Sequence, residues 1–81
     1  MKALRMIMLA CTLALAPALV FGANKININT APASVLQQLD RIGPTKAQAI
    51  VDYREHNGDF KTLEDLTKVH GIGEQTLDAN R

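Results

Sequence analysis

The chain has 81 residues, nine Lys/Arg against eight Asp/Glu, and a single cysteine, which leaves room for one domain and excludes a disulfide framework. Residues 23–81 alone carry seven Lys/Arg and eight Asp/Glu. That balance excludes a domain that holds nucleic acid by bulk positive charge, so any anion must be held by local geometry.

The first 22 residues are laid out as an export signal. Lys2 and Arg5 form a positive start, Met6–Ala16 an apolar stretch, and Pro17 a helix breaker, with small residues at Gly22 and Ala23. From Met6 to Phe21 the run is shorter than the ~20 residues of a membrane span and contains Pro17, so cleavage is expected over retention as an anchor. The cut is expected near Gly22/Ala23, with Val20 upstream; a cut after Ala18, with Ala16 upstream, is the alternative. Cys11 lies within the apolar stretch, and Met8-Leu9-Ala10 before it is a poor lipoprotein signal. The processed chain would hold no cysteine, hence no thiolate nucleophile or cysteine zinc site.

The domain is expected at 23–81. Residues 23–29 read as an extended lead-in, with Ile26 and Ile28 alternating against Asn27 and Asn29. A first helix is expected from Thr30 as N-cap, with Pro32 in its first turn and Val35, Leu36 and Leu39 on its apolar face, stopping near Asp40. A second starts at Pro44 with Gly43 as cap, buries Ala47, Ile50 and Val51, and ends at Asn57-Gly58 with Gly58 left-handed. Thr62 and Asp65 form a capping box for a third helix carrying Leu63, Leu66 and Val69. After Gly71-Ile72-Gly73 a short last helix begins at Glu74. Phe60 and Tyr53 are read as core, and His56, at a helix C-terminus, as structural.

Shifting the chain by 30 residues superposes Leu36 on Leu66, Leu39 on Val69, Ile42 on Ile72, Gly43 on Gly73 and Ala47 on Leu77. Each copy reads as apolar helix, tight glycine turn, second helix. Two such units can share one core, and helices packed on helices predict an all-α domain of four to five short helices. In each turn an isoleucine, Ile42 or Ile72, plugs the core. A glycine next to it permits a sharp bend and the close approach of another molecule. The helix starting there presents amides without intrahelical partners at the positive end of its dipole, an arrangement that binds phosphate. The donors are Gly43, Thr45 and Lys46 in the first turn, because Pro44 has no N–H. The Lys46 ammonium adds charge on the same side; Arg41, Lys68 and His70 flank the turns.

Ile28-Asn29-Thr30-Ala31, the Ile42-Gly43-Pro44 turn followed by Lys46-Ala47 and Ala49-Ile50, Tyr53-Arg54-Glu55, Gly58 with Phe60, Glu64-Asp65-Leu66 and Gly71-Ile72-Gly73 together resemble the ComEA-type competence proteins. The likeness spans essentially the whole of 23–81. It implies a tandem helix-hairpin-helix fold. It also implies sequence-independent binding of double-stranded DNA in the periplasm, as in DNA uptake for natural transformation, with uptake machinery at the membrane as a further partner. The candidate DNA-binding residues are Arg41, Ile42, Gly43, Thr45, Lys46, His70, Gly71, Ile72, Gly73, Gln75 and Thr76. Some hairpins of this kind hold a monovalent cation between turn and phosphate; no other cofactor is implied.

Two departures from the pattern carry consequences. Arg41 stands where the first hairpin glycine belongs, so it either reaches a phosphate itself or distorts the turn. Glu74 in the second hairpin repels phosphate. No Ser-His-Asp or Cys-His set is present, the two histidines match no metal-ligand spacing, and no small-molecule substrate is expected. A non-enzymatic DNA-binding module is therefore expected; the alternative is a helical protein-interaction or assembly module without DNA binding.

Overall fold

In the computed structural model the described residues are 19–81. The expected export signal falls largely on residues 1–18, outside them. Two short strands, β1 (Val20–Phe21) and β2 (Ile26–Asn27), open the fold, followed by helix α1 (Ala33–Leu36), helix α2 (Pro44–Asn57), a 3₁₀ helix η1 (Leu63–Lys68) and helix α3 (Glu74–Ala79). α1 packs on α2, and η1 on α3. Between them lies a single core whose fully buried side chains are Ile28, Leu36, Ile50, Leu66 and Leu77, drawn from both halves of the repeat.

Helix α2 follows its local signals closely. Gly43 is the N-cap, Pro44 occupies the first position, and Asn57 ends the helix. Gly58 has the expected positive φ of 87°, but its ψ of 176° lies in the glycine-only extended region rather than the left-handed helical one. The Thr62–Asp65 capping box is complete. The Lys61 amide, then that of Thr62, bonds the Asp65 carboxylate and holds it below its usual pKa. The element it caps, Leu63–Lys68, is a 3₁₀ helix, after which Val69 enters the core.

The first helix is shorter than expected and begins later. Pro32, with φ −71° and ψ 163°, is extended, so the helix starts at Ala33 and Thr30 does not cap it. The Thr30 and Ala31 amides instead donate to the Asn27 carbonyl. Beyond Leu36 the chain tightens into i→i+3 bonds, Gln38 to Val35 and Leu39 to Leu36, which carry it to the turn at Arg41.

The all-α expectation is corrected by the small antiparallel pair. Val20 faces Asn27 and Phe21 faces Ile26, with the Ile28 amide donating to Leu19 O. The folded unit thus reaches back to Leu19 rather than starting at Ala23. Phe21 is only 4% exposed, and a core this small draws on every large apolar side chain within reach.

Two asparagines tie distant segments. Asn29 Oδ1 accepts the Phe60 amide at 2.7 Å, and its Nδ2 donates to the Phe60 carbonyl at 3.0 Å. Asn80, 6% exposed, treats Asp40 the same way at 2.8 and 2.9 Å, and also donates to Thr76 O. Its own carbonyl accepts the Gly22 amide. Thus Asn80 joins α3, the end of the first hairpin arm and the β1 turn. Arg54, from α2, donates to Ile28 O at 3.0 Å, Tyr53 stacks on buried Phe60 at 5.3 Å, and His56 bonds the Asp52 carbonyl.

The 30-residue repeat is also a backbone repeat. Arg41 and Gly71 both have positive φ, 65° and 89°. Ile42 and Ile72 follow, both buried, their amides donating to Leu39 O and Val69 O. Gly43 and Gly73 are extended N-caps, at φ −92° and −114°. The first intrahelical bonds, Ala47 to Gly43 and Leu77 to Gly73, then close in register. Arg41 therefore does not distort the turn; it adopts the conformation of its glycine counterpart.

Replacing Asn80 with Ala leaves the Asp40 amide and carbonyl without those partners. It is expected to lower unfolding free energy by about 1–3 kcal/mol in a urea titration; an unchanged midpoint would show that the clamp is not stabilising. A non-glycine residue in the left-handed region is disfavoured by roughly 1–2 kcal/mol, of which the greater freedom of unfolded glycine takes back about 0.4–1. Arg41→Gly should therefore stabilise the domain by about 0.5–1 kcal/mol, and a loss of stability would contradict a strained turn.

Candidate nucleic-acid interface

The residues singled out in the sequence come together as two hairpins side by side. A Cβ placed on Gly71 would meet the Lys46 side chain, Cε at 3.7 Å and Cγ at 3.8 Å. The Lys46 stem therefore lies along the second hairpin, while its Nζ reaches the Arg41 carbonyl at 3.5 Å in the first. Lys46 is the side chain that connects the two turns.

The hairpin positions divide by physical role. Gly71, at φ 89°, has a backbone conformation that favours glycine, although Arg41 adopts its equivalent at 65°. Ile42 and Ile72 are buried plugs and act on a ligand only by holding the turns. Gly43 and Gly73 are different. Both have negative φ, and a Cβ on either would meet nothing within 4 Å. Neither turn geometry nor internal packing calls for glycine there.

Neither cap supplies a side-chain acceptor to the helix it starts. The hydroxyl or carboxamide of a Ser, Thr, Asp or Asn cap would satisfy one of the first amides. Here, among the described residues, the amides of Thr45 and Lys46 in α2 and of Gln75 in α3 keep no intramolecular acceptor. Arg41, Gly43, Thr45, His70, Gly71, Gly73, Glu74 and Gln75 are all exposed and Lys46 is half-buried, so the surface around both caps is open.

Thr76 departs from the rest. Its side chain is buried and its carbonyl accepts from Asn80, so only its amide could face a ligand. Among the other cations, Lys68 pairs with Asp65 at 3.4 Å. Arg81 pairs with Glu64 and Asp78, both at 3.0 Å; those partners raise its pKa, Asp78 first. Arg54 is spent on the Ile28 carbonyl. The positive groups left at the hairpins are Arg41 and Lys46.

Asn29, Asn80 and Phe21, which position this surface from behind, were not visible as such in the sequence. Their partners lie 31, 40 and five residues away, and only the run of alternating apolar residues near Phe21 offered a hint.

Comparison with known proteins agrees with this geometry. A family model described as helix-hairpin-helix motif matches residues 22–81. The chain is 55% identical over 53 residues to ComE operon protein 1 of Bacillus subtilis, which covers 65% of this chain and 26% of that protein. It is 54% identical over 67 residues to an uncharacterized protein of Haemophilus influenzae, 82% of this chain and 58% of the relative. Against endonuclease/exonuclease/phosphatase family domain-containing protein 1 of Homo sapiens it is 38% identical over 60 residues, only 10% of that protein. The chain thus spans about a quarter to just over half the length of the two bacterial relatives. No solved structure matches. The chain belongs to the helix-hairpin-helix family and is ComEA-like within it.

Proposed function

We propose that the domain is a tandem helix-hairpin-helix module, exported across the cytoplasmic membrane. It would bind double-stranded DNA there without reading sequence, in DNA uptake for natural transformation, and catalyse nothing. One observation carries the reading. Two equivalent glycines, Gly43 and Gly73, cap helices with no internal reason to be glycine. Room is kept at both for a molecule that comes close to the backbone.

The ligand chemistry follows from what surrounds that room. Unpartnered amides at a helix start favour an anion. Arg41 and Lys46 add two cations to the same surface, whereas Glu74 sets a like charge near the second cap. Backbone amides recognise phosphate and carry no base information, so such a surface binds duplexes of any sequence. With so few cations, affinity is expected on the order of 10⁻⁴–10⁻⁶ M at physiological salt. Membrane-bound uptake machinery is the natural second partner.

A valine at Gly43 or at Gly73 would occupy the phosphate position, while its Cβ would meet nothing of the fold within 4 Å. Each is expected to weaken binding of random duplex DNA on the order of tenfold, the equivalent of one charge-assisted hydrogen bond, with the helical circular dichroism retained. Undiminished binding by both folded variants would remove the hairpins as the site; no binding by the parent chain, even at low salt, would favour the assembly module instead. Lys46→Glu should weaken binding to all duplexes alike. It should also lower the slope of log K against log salt by about one from a parent value matching roughly two to four phosphates. A shift in sequence preference would contradict a phosphate contact.

A further inference from the structure

We propose that the exported chain is cut between Ala18 and Leu19, so that Leu19–Gly22 remain part of the working domain. This rests on the export reading above and assigns its processing site.

Two places along the N-terminal stretch offer small residues at the positions a signal peptidase reads. One is Ala16-Pro17-Ala18, small residues flanking one position directly after the apolar stretch. The other ends at Gly22, with Val20 as its upstream residue. The structure gives Gly22 a different reason to be glycine. Its φ is 76°, and a Cβ there would lie 2.7 Å from Leu39 Cδ2. The positive φ of the turn between β1 and β2 favours glycine, and a Cβ there would press on Leu39, so the fold itself gives a reason for the small size of Gly22.

The residues between the two places are built into the fold. Phe21 lies in the core. Leu19 O accepts the amide of fully buried Ile28, and the Gly22 amide donates to the carbonyl of Asn80. A cut after Gly22 would take away the Phe21 ring and the acceptor of a buried amide, together with the tie that joins the start of the domain to Asn80, which itself holds the end of the first hairpin arm at Asp40. A cut after Ala18 keeps every one of these contacts. In that hydrolysis water adds across the Ala18–Leu19 amide. The C–N bond breaks, hydroxyl goes to the Ala18 carbonyl carbon and hydrogen to the Leu19 nitrogen. The new acid's proton passes to that amine, leaving a carboxylate on the released signal and an ammonium on Leu19. The host's membrane-bound signal peptidase supplies the catalysis.

The test is to express the full chain with a C-terminal tag in a Gram-negative host and read the recovered protein by intact mass and N-terminal sequencing. A chain beginning Leu-Val-Phe-Gly is expected. A start at Ala23 overturns the proposal while leaving export intact; an uncut chain beginning at Met1 overturns both. Two variants separate the sites. Ala18→Gln should abolish the processed form, since a large polar side chain replaces the small one at the cut. Val20→Gln should leave processing at Leu19 unchanged, and at 43% exposure Val20 tolerates the swap. The opposite pattern, processing lost with Val20→Gln and kept with Ala18→Gln, overturns the assignment.

Discussion

Each hairpin depends on a left-handed residue followed by a buried isoleucine. The positive φ at Arg41 and at Gly71 reverses the chain. The isoleucine after it drops into the core. The glycine after that is consequently left outside, and the next helix starts there with its first amides facing solvent. Moving any one of these by a residue would turn the plug outward or bury the amides. The exposed amides at both helix starts are a consequence of how the core is sealed by the two isoleucines.

Charge is distributed to suit this arrangement. Three cations away from the hairpin caps are engaged within the fold: Arg54 on a main-chain carbonyl, Lys68 and Arg81 on carboxylates. Exposed ion pairs of this kind add little stability. Arg41 and Lys46 remain where the hairpins meet. Arg41 holds its place in a conformation that glycine would adopt more readily, as its repeat counterpart does. Strain of this kind clusters at functional sites, and a guanidinium beside an anion-binding turn is a reason to keep it.

The two copies do not stand alone. Leu36 and Ile50 from one and Leu66 and Leu77 from the other fill one core, and a domain of this size has little apolar area to spare. That scarcity accounts for the β1–β2 pair, which adds Phe21 and Ile26, and for the Asn29 and Asn80 clamps, which satisfy main-chain groups where the segments meet. The strand pair lies outside the repeat and seals one end of it.

Helix α2 was legible to the residue because its signals are local: a proline at its first position, a glycine before it and Asn-Gly at its end. The capping box at Thr62 and Asp65, the two hairpins and their 30-residue spacing were legible for the same reason, since turn chemistry acts over three or four residues. What the sequence by itself determined is therefore the punctuation of the chain: where its helices are capped and where its two glycine turns fall. Only the tertiary structure decided that Thr30 does not cap, that η1 is 3₁₀, that Thr76 turns inward, that Phe21 belongs to the domain and that Lys46 lies along the second hairpin. The burial of Phe21 and Thr76 and the path of Lys46 along Gly71 exist only once both halves have packed, and short-range propensity carries no record of them.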